Sequence, residues 1–211
     1  IRDSYDIAVI DEAQMIADRD RGHSWTRAIL GVKADEIHIC MSPAAEEVVT
    51  HLIALCEDTF EVRHYERKTA LVCEQEAFVF PDDVTEGDAL ITFTKRAVLD
   101  IAGRLEREGI RASVIYGSLP PEIRRRQIRL FLSHETKVVV STDAIGMGLN
   151  LPVRRIVFIQ TEKYDGISTR PLNIPEIRQI AGRAGRFGMY DTGYVNAMGE
   201  DARNYIAKRF D

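Results

Sequence analysis

An Asp-Glu pair closes the apolar run of IAVIDEAQ, and far downstream QIAGRAGRF sets Arg183 and Arg186 three residues apart, each behind a glycine. A carboxylate at the end of a buried strand can hold Mg²⁺ through water while its neighbour orients or deprotonates an attacking water. Asp11 and Glu12 have the residue types for those two tasks, although such a pair is equally the start of an ordinary loop or helix. On a continuing helix Arg183 and Arg186 point the same way, with Gln179 one turn earlier on that face. Gly182 and Gly185 remove side chains that would hold a partner surface away. Two planar guanidinium forks beside an amide suit a triphosphate whose charge must be stabilised during transfer. The competing reading is a helix C-terminus, where the dipole favours cations and glycine caps the end.

Three further stretches end apolar runs in hydroxyls, glycines or lysine. VVVSTDAIGMGLNL offers Ser141, Thr142 and Asp143, then Gly146 and Gly148; TFTKRA offers Thr94 and Lys95; IYGSLPPE offers Gly117 and Ser118. Hydroxyls and glycine-exposed N–H groups at strand ends suit phosphate oxygens, and a row of them reads a backbone and not a base sequence. Each alone is a common turn.

These residues need elements to hold them. Short apolar runs at Ile7–Ile10, Ile37–Met41, Ala89–Phe93, Ala112–Tyr116, Lys137–Ser141 and Arg155–Gln160 read as strands. Helical patterns fall between them at Trp25–Leu30, Ala44–Cys56, Ala97–Glu108, Glu122–Leu132 and Ile174–Ala184. Strands alternating with helices indicate an α/β, doubly wound parallel sheet, in which ligands gather at the carboxyl ends of the strands. The charged stretch His64–Asp88 breaks the alternation, so a boundary near 69–76 divides the chain into 1–70 and 71–211. The first part carries only two strands, too few for a complete sheet. Asp165-Gly166, inside the irregular stretch Gln160–Glu176, predicts a projecting hairpin.

The 211 residues are 45% hydrophobic and 29% charged with a net charge of −5, which fits a globular chain and argues against coating nucleic acid by charge alone. The one dense basic run, Arg124–Arg129, follows a proline helix start and reads equally as a solvated face or a phosphate contact. Cys40, Cys56 and Cys73 are widely spaced without C-x-x-C, which predicts buried thiols and no zinc site. The opening residues lack signal-peptide regions, and no apolar run approaches the roughly eighteen residues of a membrane span. The expectation is a cytoplasmic protein without membrane contact.

Taken in order, DEAQ, TFTKRA, YGSLPPEIRRRQ, STDAIGMGLNL and QIAGRAGRF resemble the motifs of superfamily 2 helicases of the DExH branch. With RDRGHSWTRAILG, the likeness is to the RNA helicase of the mitochondrial degradosome and its bacterial relatives, and it covers nearly the whole chain. The resemblance implies two RecA-like lobes, the first incomplete, that use ATP and Mg²⁺ on single-stranded or 3′-tailed RNA, with a ribonuclease as partner. Carried over by position, Asp11 would hold Mg²⁺ and Glu12 would position water. Gln179, Arg183 and Arg186 would face the γ-phosphate, Arg186 as the finger. Gly148 and Asn150 would lie at the ribose, with asparagine where many relatives have aspartate. Thr94, Lys95, Gly117, Ser118 and Thr142 would touch the RNA backbone, and Ser42 would link the hydrolysis box to the RNA side. Ile180 stands where many relatives have a second arginine.

None of the fourteen glycines precedes a lysine, so the phosphate loop that such an ATPase needs is absent from these residues. The expectation is a helicase core fragment that does not by itself hydrolyse ATP. Alternatives are a DNA helicase or translocase of the same superfamily and a non-catalytic nucleic-acid-binding module.

Overall fold

The computed structural model describes residues 4–18, 21–146 and 151–210. The chain forms two compact units, Ile1–Tyr65 and Glu66–Asp211. The division falls ahead of the 69–76 segment because Arg67 already belongs to the second unit. Its guanidinium donates to the carbonyls of Thr69 (2.8 Å), Gly182 (2.7 Å) and Ala184.

In the first unit, strand β1 (Ser4–Ile10) is followed by helix α1 (Gly22–Gly31), strand β2 (Lys33–Ile39) and helix α2 (Glu46–Leu55). β1 and β2 pair in parallel with Ile10 opposite Ile39. The pairing continues into the loops, where Cys40 N donates to Ile10 O and Ala13 N to Cys40 O, both at 2.9 Å. Ile10, Ala13, Ile29, Ala45 and Val49 form the core. The other face of β1, with Tyr5, Ile7 and Val9, is exposed.

The second unit runs β3 (Ala70–Cys73), β4 (Asp88–Ile91), α3 (Lys95–Arg107), β5 (Ala112–Ile115), α4 (Pro121–Leu132), β6 (Val138–Ser141) and β7 (Arg155–Phe158). There follow the hairpin β8 (Glu162–Tyr164) and β9 (Thr169–Pro171), then α5 (Ile174–Ala181), β10 (Thr192–Ala197) and α6 (Glu200–Phe210). Six strands make one parallel sheet in the order β3-β10-β7-β4-β6-β5. Side chains alternate across it. Ala89, Ile91, Val139 and Ile156 pack with Phe131 of α4, Ile177 of α5 and Ile206 of α6; Leu90, Val138, Val140 and Val157 pack with Val98, Ile101 and Leu105 of α3. Both faces are therefore covered, as the near-continuous apolar strands require.

At the amino end of the sheet Asp88 is fully buried, and Arg155 grips both its oxygens at 2.9 and 2.7 Å while also reaching Glu74. Burial pushes the Asp88 carboxyl up despite these bonds. This pair lies at the end opposite the loops that carry the candidate site, so it anchors strands and offers nothing to a ligand.

The sequence leaves β3, β10 and α6 unread. β3 is a four-residue edge strand flanked by charge, β10 contains Gly193 and Asn196, and α6 buries one apolar side chain fully, so none has a strong periodic signal. No described cysteine forms a disulfide, but the predicted burial fails: Cys40 is exposed and Cys56 and Cys73 are half-buried, since β2 and β3 are themselves open to solvent and Cys56 sits at the end of α2. Among the described residues no helix is long and apolar enough to cross a membrane.

Candidate functional site

β1 delivers Asp11 and Glu12 to the carboxyl end of the two-stranded sheet, where Glu12 takes a left-handed backbone (φ 55°, ψ 39°). That conformation is uncommon for a residue with a side chain, and it persists only where surroundings hold it. Here Glu12 N donates to Asp11 Oδ1 at 2.8 Å and Trp25 Nε1 donates to Asp11 O at 2.9 Å. Gln14 completes the arrangement: its amide nitrogen donates to Glu12 Oε2, and its amide oxygen accepts from Ser42 N at 3.1 Å. The last letter of DEAQ thus ties the carboxylate to the segment after β2, a role that residue type and spacing do not reveal. A cavity of about 250 Å³ is lined by Asp11, Glu12, Gln14, Cys40, Met41 and Ser42.

Among the described residues no group of three or more His, Cys, Asp or Glu side chains could cage a metal ion. A lone exposed Asp11 still fits Mg²⁺, which keeps several waters and takes one or two carboxylates together with phosphate oxygens.

In the second unit β4, β6 and β5 are neighbours, and their carboxyl ends carry the three stretches singled out above. Thr94 is exposed and caps α3, its hydroxyl accepting from Ala97 N at 3.1 Å. Lys95 lies 5.4 Å from the centroid of the Tyr116 ring, which brings the ends of β4 and β5 within reach of one another. Gly117 and Ser118 are exposed, and Arg124 Nη2 donates to Gly117 O at 2.9 Å. Thr142 differs from the other four. It is only 7% exposed, and its hydroxyl accepts from Ala144 N at 3.2 Å, so it shapes the turn after β6.

That turn meets the end of α5. Arg183 donates to Gly146 O, and the Gln179 side chain packs over the Gly146 Cα, where a methyl group would sit 3.5 Å from Gln179 Cγ. Gly146, Gln179 and Arg183 are therefore one cluster. Gly148 and Asn150 lie outside the described residues.

The helical placement of Arg183 and Arg186 is corrected. α5 ends at Ala181, Ala184 forms a parallel bridge with Val153, and Gly185 turns the chain at φ +68°. Arg183 lies in the hydrogen-bonded turn that follows α5 and Arg186 comes after the bend at Gly185, so the two do not share a helical face. The reason is close backbone contact: a Cβ on Gly185 would lie 2.5 Å from Gly193 N and 2.8 Å from Thr69 Cγ2. Gly185 thus admits β10 of its own fold and not a partner surface, while Arg67 takes the carbonyls exposed as the helix ends.

The hairpin forms, with Tyr164 opposite Thr169, and Asp165 closes its loop by accepting from Ile167 N and Ser168 N. Its charges hold two other elements. Lys163 Nζ lies 2.7 Å from Glu176 Oε1 and 3.3 Å from Asp143 Oδ2, and Arg170 grips Glu176 with two bonds of 2.9 and 2.8 Å. Glu176 also accepts from Asn173 N in a reciprocal cap of α5. Burial raises its carboxyl, but the bonds from Arg170, Lys163 and Asn173 outweigh that and bring its pKa from 4.5 to about 2. The signature Asn-x-x-Glu stands in the sequence as NIPE and could have located this helix start.

Among family models, the DEXQ-box helicase domain of Suv3 matches residues 1–65 and the helicase conserved C-terminal domain matches residues 68–188. The mitochondrial DExH-box ATP-dependent RNA helicase DExH18 of Arabidopsis thaliana is 42% identical over 207 residues, 96% of this chain and 27% of that protein. The mitochondrial ATP-dependent RNA helicase SUV3 homolog of Caenorhabditis elegans is 44% identical over 200 residues, again 27% of its own length. The chain thus spans about a quarter of these relatives. Saccharomyces cerevisiae Dbp5 bound to RNA and ADP BeF3 is similar in structure, with a TM-score of 0.64 at 20% identity over 97% of this chain and 57% of that one. The fold is accordingly RecA-like. The cytoplasmic expectation is overturned, because these relatives are mitochondrial. Composition and hydropathy of a folded core carry no organelle address, so their silence misled.

Proposed function

The chain belongs to the superfamily 2 helicases, as a Suv3-type DEXQ-box segment followed by a helicase conserved C-terminal domain, and on that premise we propose that it is core machinery of a mitochondrial ATP-dependent RNA helicase. Residues up to the division at Tyr65 are read as the later part of a first RecA-like lobe, and the rest as the second lobe. The reading assigns Asp11 to Mg²⁺ and Glu12 to the attacking water, with Gln14 fixing the Glu12 carboxylate and relaying its position to Ser42. Gln179, Arg183 and Arg186 are assigned to the γ-phosphate, and Gly148 and Asn150 to the ribose. Mg²⁺ bound with ATP would neutralise charge that develops on the phosphate oxygens. Thr94, Lys95, Gly117 and Ser118 take the RNA backbone, and Thr142 supports them by holding its turn. A ribonuclease partner is part of the same reading.

The observation that carries it is the convergence at one edge of the six-stranded sheet. Gly146 sits against Gln179 and Arg183 there, and the exposed ends of β4 and β5 lie alongside. Without a glycine-lysine phosphate loop, these 211 residues by themselves are expected to bind RNA without turning over ATP.

Two measurements test this. A longer protein that contains these residues is expected to show RNA-stimulated ATPase, falling by about 10²-fold or more in Glu12→Gln or Arg186→Ala, the scale of losing an electrostatic stabiliser. No RNA stimulation in that protein overturns the helicase reading. ATPase of the 211-residue chain above background, and lost in Arg186→Ala, overturns the requirement for the missing loop.

A further inference from the structure

Three arginines on α4 have no part in the reading above. Arg125, Arg126 and Arg129 are all exposed, and among the described residues none of their guanidinium groups has an ion pair, hydrogen bond or ring contact. Several other surface arginines are paired, Arg21 with Asp18, Arg63 with Glu61 and Arg170 with Glu176. Among the described residues Arg27, Arg107 and Arg111 are exposed and unpaired as well, but only α4 gathers three such side chains within five residues. Within Pro121–Leu132 the only acid is Glu122, so this helix is strongly cationic on a chain whose net charge is −5. A folded protein that leaves three like charges unpaired on adjacent turns accepts their mutual repulsion, which an anionic ligand would relieve.

The position of the helix says which anion. α4 begins three residues after Ser118, and Arg124 fastens its first turn to the loop after β5 by donating to Gly117 O at 2.9 Å. That loop is one end of the row of exposed groups assigned to the RNA backbone. Arg125 and Arg126 lie on the turn next to the row, and Arg129 follows Arg125 by four residues, about 6 Å farther along the axis. Arg126 and Arg129 also line an open groove of about 550 Å³, together with Leu130, Leu132, Ser133 and Glu135. β5 is the last strand of the sheet, so no neighbouring strand closes this side.

We propose that Arg125, Arg126 and Arg129 form a phosphate track that continues the strand-end row and holds the RNA backbone as it leaves β5 along α4. The inference rests on the RNA reading of that row. It assigns no base preference, since guanidinium contacts to phosphate position a strand without reading it.

The test measures binding of fluorescent oligouridylates to the 211-residue chain across roughly 50–200 mM salt. One probe of about 6 nucleotides covers the row, and one of about 20 nucleotides also covers the helix. For the long probe, Arg125→Ala/Arg126→Ala/Arg129→Ala is expected to lower the slope of log K against log salt by about 2, near 0.7 for each phosphate left without its cation. Binding of the short probe should stay unchanged, and the triple lysine variant should restore most of the slope. Circular dichroism should match wild type, because alanine is a better helix former than arginine at exposed positions. An unchanged slope with the long probe overturns the track, and leaves these arginines to a partner other than RNA. An equal reduction with both probes overturns it too, since the effect is then not one of length. Failure of the wild-type chain to bind either probe overturns the RNA reading itself.

Discussion

Gly185 shows how tightly single positions are determined. It combines φ +68° with a Cβ position already occupied by the Gly193 backbone. Gly185→Ala is expected to cost at least about 2 kcal/mol, more than an ordinary glycine-to-alanine change in a left-handed turn, because β10 must also move. Urea unfolding of the second unit measures it, and a loss below about 1 kcal/mol would show that β10 yields easily. At this scale the sequence was legible in part. The residue types at Asp11, Glu12, Gln179 and Arg183 suggested chemistry, and the cluster of Gly146, Gln179 and Arg183 joins two stretches chosen on that basis. Gln14 and Arg67 were not legible as positioning residues. Their partners are distant in sequence, 28 residues for Gln14 with Ser42 and 115 for Arg67 with Gly182, and no local pattern records such pairs.

The element that governs the arginine turn is α5, and its start depends on Glu176. A carboxyl whose folded pKa lies below its unfolded value stabilises the fold above the unfolded pKa, and loses that contribution as pH falls through the folded one. For Glu176 the stabilisation is complete above about 4.5 and disappears toward about 2. Glu176→Gln is therefore expected to lower stability near neutrality by about 1 kcal/mol after solvent screening, and to flatten the acid dependence across that window. Thermal melts at several pH values check it; parallel wild-type and variant curves between pH 4.5 and 2 would contradict the assignment. Elements with strong apolar runs, such as β4, β6 and β7, were legible because burial on both faces demands such runs. The hairpin was legible from Asp165-Gly166, although its loop runs to four residues between Tyr164 and Thr169. β3, β10 and α6 were not, since their places are set by neighbouring strands and helices and not by their own periodicity.

Across the whole molecule, stability is unevenly shared. Among the described residues the first unit has a core of five buried side chains, against clusters of eighteen and eight in the second. A two-stranded sheet with so small a core is marginal, so unfolding is expected in two steps with the first unit opening earlier. Hydrogen exchange should show β1 and β2 losing protection before β4, β6 and β7; uniform protection would contradict it. The Arg67 bonds carry a further consequence for how the chain can be divided. A piece beginning at Glu66 keeps the guanidinium that seals the end of α5, whereas one beginning at Ala70 retains every strand and helix of the second unit and lacks it. A portable unit must therefore start ahead of its first strand, at Arg67 or before, and a cut placed by strand boundaries alone would loosen Arg183 and Arg186 without removing either.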